Sequence, residues 1–74
     1  MNIPIKNNIK KLRESRGLNQ DDLAKVLGVA RTYLSKLENQ RFSPGPGLMQ
    51  KVCLFFGKEL EEVFYIAGGD GSGN

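Results

Sequence analysis

The chain has 74 residues, and 11 Lys and Arg against 8 Asp and Glu leave a formal charge of +3. A sequence this short closes around one thin core, burying only about 60% of the surface its unfolded form exposes, so it does not hold two domains and a partner subunit would stabilise it. With no histidine, no tryptophan and a single cysteine, histidine general bases, Cys/His zinc sites and intrachain disulfides are ruled out, and neither a metal nor a cofactor is expected.

Residues 1–7 read as an extended N-terminal segment. Helical periodicity starts around Asn8, where Ile5, Ile9 and Leu12 share one side and Lys6, Lys10, Lys11 and Glu14 the other. Gly17 supplies a left-handed stop after the basic turn ending at Arg16, and Leu18 folds back onto the core. Asn19 is a good N-cap for a second helix, with Asp21 and Asp22 in its first turn, an apolar stripe of Leu23, Ala24 and Leu27, and an end at Gly28. Val29 anchors the turn. A third helix runs from about Ala30 to Asn39, with Tyr33, Leu34 and Leu37 on its inner side.

Ser43 to Gly47 form a loop that leads into a fourth helix, N-capped by Gly45, begun by Pro46 and ended before Gly57. Leu48, Met49, Val52, Cys53, Leu54, Phe55 and Phe56 ring this helix almost completely, so it needs cover on every side. Cys53 reads as a small buried hydrophobe rather than a reactive thiolate. Glu59 to Glu62 open a short fifth helix whose Leu60, Val63 and Phe64 point inward, and the glycine-rich residues 67–74 form a disordered tail. The folded domain is therefore 8–66: all-α, five short helices. No apolar run spans a membrane and no secretory signal pattern is present, which makes a soluble, cytoplasmic chain the expectation.

The stretch GLNQDDLAKVLGVARTYLSKLEN, Gly17 to Asn39, resembles the helix-turn-helix of the phage repressor and Cro family, also called the Xre family. Leu23, Ala24, Gly28, Val29, Leu34 and Leu37 carry the resemblance together, with KLRESRGLNQ before the motif and KVCLFFG and ELEEVF after it. The match covers about Asn8 to Tyr65. It implies a lambda-repressor-like DNA-binding domain with the helix-turn-helix at helices 2 and 3.

The outward face of the third helix carries Arg31, Thr32, Ser35, Lys36 and Asn39, all hydrogen-bonding residues, two of them cationic, with no acid among them. Such a face suits the major groove, where Arg or Lys donates to guanine and Thr meets a thymine methyl. The resemblance implies base contacts at Arg31, Thr32 and Lys36, with Ser35 at the margin, and phosphate contacts at Asn19, Gln20, Asn39 and Arg41. Tyr33 has two readings: a ring filling a gap beside the first helix, or a hydroxyl against a phosphate. The second is preferred. Arg13 and Glu38 are expected to form a structural ion pair, as the family commonly pairs these positions. Ala30 stands where Ser or Thr is frequent, and Gln40 where glycine is.

One half-site offers too few contacts to outcompete a genome, so a homodimer on a palindromic operator is expected, as a transcriptional regulator and most often a repressor. Leu54, Phe55, Val63, Phe64, Tyr65 and Ile66 are the candidate dimer interface; the alternative is that both phenylalanines complete the monomer core. Ile3 and Ile5 at one end and Tyr65 and Ile66 at the other are also placed to pair as a short ribbon, with Pro4 restricting it to an edge. The competing function is an antitoxin or adaptor whose apolar C-terminal half binds another protein. An enzyme is not expected, because Asp21/Asp22 and Glu59/Glu61/Glu62 suit helix first turns better than catalysis.

Overall fold

A computed structural model describes residues 5–66. The elements are β1 (Ile5–Asn7), α1 (Ile9–Ser15), α2 (Gln20–Leu27), α3 (Arg31–Glu38), α4 (Pro46–Phe56), α5 (Leu60–Val63) and β2 (Phe64–Ile66). The five helices fall where the periodicity places them. The two strands form an antiparallel ribbon in which Ile5 faces Ile66, Lys6 faces Tyr65 and Asn7 faces Phe64. Ile5 thus belongs to the ribbon rather than to α1, and residues 5–7 are part of the folded unit. Ile3, Pro4 and the 67–74 tail lie outside the described residues.

The helix ends follow from local chemistry. Asn19 accepts from the Asp22 amide at 2.8 Å and the Asp22 carboxylate accepts from the Asn19 amide at 3.2 Å, a reciprocal cap that satisfies two donors at the start of α2. Ala30 gives α3 no such cap, an omission worth about 1 kcal/mol of helix stability. Between these helices Gly28 adopts φ 73° while its amide and that of Val29 return to Lys25 and Ala24. A side chain there would meet only the far end of Lys51, so the dihedral, not crowding, calls for glycine.

The C-terminus of α3 turns in the same left-handed way without glycine. Gln40 sits at φ 62°, its amide bonded to the Leu37 carbonyl and that of Arg41 to the Lys36 carbonyl. Its carboxamide stands in for a neighbouring peptide: Oε1 accepts from the Asn7 amide at 3.0 Å, and Nε2 donates to the Asn7 carbonyl at 3.1 Å and to the Glu38 carbonyl. Asn7, only 4% exposed, donates from Nδ2 to the Leu37 carbonyl and accepts the Ile9 amide on Oδ1. These bonds offset the strain of a non-glycine residue at positive φ, and they bolt the end of α3 to the ribbon.

The core gathers Ile9 of α1, Leu23, Ala24 and Leu27 of α2, Leu34 and Leu37 of α3, Val52 and Phe56 of α4, and Val63 and Phe64. Four positions differ from the sequence-based expectation. Leu60 does not point inward; it is 50% exposed, because the four-residue α5 has a single inner side and Val63 takes it. Tyr33 is 39% exposed rather than on the inner side of α3, which Leu34 and Leu37 fill. Val63 and Phe64, expected at a dimer interface, are 0% and 6% exposed and belong to the monomer core, with Phe64 still edging the cleft beside Tyr65 and Ile66.

The adjacent phenylalanines divide. Phe56 is buried, while half-buried Phe55 meets it edge-on with ring centroids 5.0 Å apart. Arg16 lies across both rings, 5.2 Å from Phe56 and 6.0 Å from Phe55, and donates to the Phe56 carbonyl at 2.8 Å. Phe55 therefore gains part of its cover from α1's basic end. Among the described residues no helix is long and apolar enough to cross a membrane.

Candidate nucleic-acid interface

Leu34 and Leu37 seal α3 against the core, which turns Arg31, Thr32, Lys36 and Asn39 out to solvent and leaves Ser35 half-exposed. The four-residue displacement between Arg31 and Ser35, and between Thr32 and Lys36, keeps the set on one side of the helix. Ser35, Lys36, Asn39 and Arg41 line a shallow polar hollow where the chain leaves α3. Asn39 donates from Nδ2 to the Ser35 carbonyl at 2.9 Å, closing the last turn. The structure thus brings together the four residues expected to meet bases and two of those expected to meet phosphate.

The start of α2 lies beside the start of α3. Asn19 is exposed, although its side-chain oxygen is committed to the Asp22 amide. Gln20 is half-buried and ties α2 to both ends of α3: Nε2 donates to Glu38 Oε1 at 3.0 Å, while Oε1 accepts from Arg31 Nη1 at 3.5 Å, the outer limit of a hydrogen bond. Tyr33 rests on Phe42 of the following loop, with centroids 4.9 Å apart and rings inclined by 45°. Neither of the two sequence-based readings of Tyr33 includes that aromatic partner.

Behind this surface lies the buried pair. Arg13 donates from Nε to Glu38 Oε2 at 2.7 Å and from Nη2 to Oε1 at 3.1 Å, a bidentate fork, and from Nη1 to the Leu18 carbonyl at 2.9 Å. The hydrogen bond to Glu38 holds the guanidinium above its ordinary pKa, against the opposing cost of burial, so this charge is fixed at any physiological pH. Because Gln20 Nε2 occupies the same Glu38 oxygen, the pair anchors α1, α2 and α3 to one carboxylate.

The outward face of α3 carries no acid, since Glu38 is turned inward, but α2 brings one to it: Asp21 Oδ1 stands 3.6 Å from Arg31 Nε, with both side chains largely exposed. Inspecting one helix face at a time misses this contact, because Asp21 belongs to the first turn of α2 and Arg31 to that of α3.

A second surface is apolar. Met49, Cys53, Leu54 and Leu60 line a groove between α4 and α5, and Met49 and Leu60 continue it to Ile5, Tyr65 and Ile66 of the ribbon. Leu54 is 74% exposed and Ile66 56%. Of the six residues expected at a dimer interface, Leu54, Tyr65 and Ile66 are exposed here.

A family model described as helix-turn-helix matches residues 9–63. Curated relatives include an uncharacterized HTH-type transcriptional regulator of Methanocaldococcus jannaschii, 38% identical over 60 residues, covering 81% of this chain and 91% of that protein. Another is an uncharacterized HTH-type transcriptional regulator of Bacillus subtilis, YgzD, 32% identical over 62 residues, covering 84% and 94%. The ImmF control region 10 kDa protein of Bacillus phage phi105 is 36% identical over 52 residues, covering 70% and 58%. A crystal structure of a Bacteroides fragilis protein assigned as DNA-binding superposes with a TM-score of 0.73 at 16% identity, over 82% of this chain and 98% of that one, which shows the shared fold. Matched over most of its length, with the two-helix unit formed by α2 and α3 at its centre, the chain belongs to the Xre/Cro-like helix-turn-helix family.

Proposed function

We propose that the chain is a DNA-binding transcriptional regulator that lays α3 in the major groove, with Arg31, Thr32, Ser35 and Lys36 meeting base edges and Asn19, Gln20, Tyr33, Asn39 and Arg41 meeting phosphates. The observation that supports it best is the division of α3: its apolar side is sealed by Leu34 and Leu37 and its opposite side presents hydrogen-bonding groups with two cations. Repression through a homodimer on a palindromic operator is the working form of this reading, with the apolar surface from Leu54 to Ile66 as the meeting face.

The test is a salt titration on duplexes recovered from a random pool. Neutralising about four phosphates per subunit makes log affinity fall with log salt at a slope of roughly −3 to −4 per subunit. Arg31→Ala or Lys36→Ala costs about 1 to 3 kcal/mol on the selected site and relaxes preference at one position. A flat salt response removes the proposal. Recovered sites with half-sites about one helical turn apart support the dimer, and Leu54→Asp then yields folded monomers in sedimentation. The second reading, an adaptor or antitoxin binding a different protein, uses the same apolar surface; a wild-type chain that sediments as a monomer with that surface intact favours it.

A further inference from the structure

We infer that Asp21 is a positioning residue for Arg31, and that by holding this arginine it lowers the affinity for non-cognate DNA more than for the cognate site. The inference rests on the reading of α3 as the base-reading helix. Among the described residues there are two ion pairs, the buried Arg13–Glu38 pair and this exposed one.

Arg31 stands between two acceptors of α2. Asp21 Oδ1 takes the Nε side at 3.6 Å, and Gln20 Oε1 takes Nη1 at 3.5 Å. Gln20 is itself fixed, because its Nε2 is bonded to the buried Glu38 carboxylate. Of the five guanidinium protons, the Nε proton and one on Nη1 are thereby directed at α2, and three remain on Nη1 and Nη2. That remaining edge can donate to guanine O6 and N7 without breaking either contact.

A phosphate makes a different demand. When met on the same free edge, it brings a second anion beside the Asp21 carboxylate, which already balances the Arg31 charge, so the contact neutralises less and is opposed by repulsion. Guanine is a neutral acceptor and meets no such repulsion. The acid therefore subtracts from the sequence-independent part of binding and spares the base contact. Asp22, one residue along, is occupied elsewhere, since its carboxylate accepts the Asn19 amide in the helix cap. It is therefore the natural control.

The experiment measures affinity of the full chain, by fluorescence anisotropy over a potassium chloride series, for a duplex carrying the selected site and for a scrambled duplex of the same length. Asp21→Asn is expected to raise scrambled-duplex affinity by about two- to fivefold, the range of an exposed ion pair, and to steepen its log–log salt slope by about 0.9, one added phosphate contact. Cognate affinity changes less, so the discrimination ratio falls. Asp21→Glu restores the ratio, and in an Arg31→Ala background Asp21→Asn leaves it unmoved. An unchanged ratio in Asp21→Asn, an equal fall in the Arg31→Ala background, or the same fall from Asp22→Asn each overturns the inference. Should the wild-type chain show no salt-dependent duplex binding, the functional reading itself fails, an outcome distinct from a wild type that binds and an Asp21→Asn ratio that stays put.

Discussion

Replacing Arg13 by alanine removes three hydrogen bonds at once, two to Glu38 and one to the Leu18 carbonyl. Glu38, 4% exposed, is left with Gln20 Nε2 as its side-chain donor. Breaking a buried ion pair by deleting one partner costs about 3 to 5 kcal/mol, and the surviving Gln20 bond places this case near the lower figure, about 3 kcal/mol. In a domain of this size each kcal/mol moves the melting temperature by about 4 to 8 °C, so Arg13→Ala should melt roughly 12 to 24 °C below wild type in a circular dichroism scan. The effect belongs to the stranded carboxylate, not to a net contribution of the pair. Arg13→Met combined with Glu38→Leu should therefore recover most of the loss, and the base preference of folded Arg13→Ala, measured at low temperature, should match wild type. A single variant that melts within about 2 °C of wild type, or a double variant no more stable than the single, refutes the reasoning.

Gln40→Gly relieves a left-handed backbone yet deletes the bonds to Asn7, so it should destabilise the fold by about 1 to 2 kcal/mol in urea, and Gln40→Ala by about 1 kcal/mol more; a glycine variant more stable than wild type would show the clip to be idle. Burial, aided by Glu59 and Glu61, pushes the Cys53 thiol above its ordinary value of 9.0. The thiolate is the reactive form, so the midpoint of the alkylation rate against pH should lie above 9.0 in the folded chain and shift down when urea unfolds it. By the same linkage the folded state keeps this proton longer than the unfolded one; stability is untouched below the unfolded thiol's pKa and declines as pH rises towards the folded value.

The helices are legible in the sequence because their stops are written locally. Gly17, Gly28 and Gly57 take positive φ where each periodic stretch ends, and Asn19 caps the helix it precedes. Arg13 and Glu38, 25 residues apart, are paired only through the family resemblance, since no local period relates them. What stays hidden is polar and long-range. The Gln40 clip joins residues 33 apart, and its only trace is a residue with a long carboxamide where glycine is frequent. Asp21 is a first-turn acid, as its position suggests, and that role conceals its second one towards Arg31. In α5, four residues are too few for a period to show which apolar side chains go inside, and the inward placing of Leu60 fails there for that reason.

The carboxamide of Gln40 has a mechanical consequence. It docks on Asn7 as an extra rung beside the ribbon whose outer residues, Ile5, Tyr65 and Ile66, belong to the apolar surface, and it grows from the residue that ends α3's final turn. The tip of α3 and the hydrophobic flank therefore share a stiff joint. Whatever settles on that flank inherits leverage over how α3 is tilted.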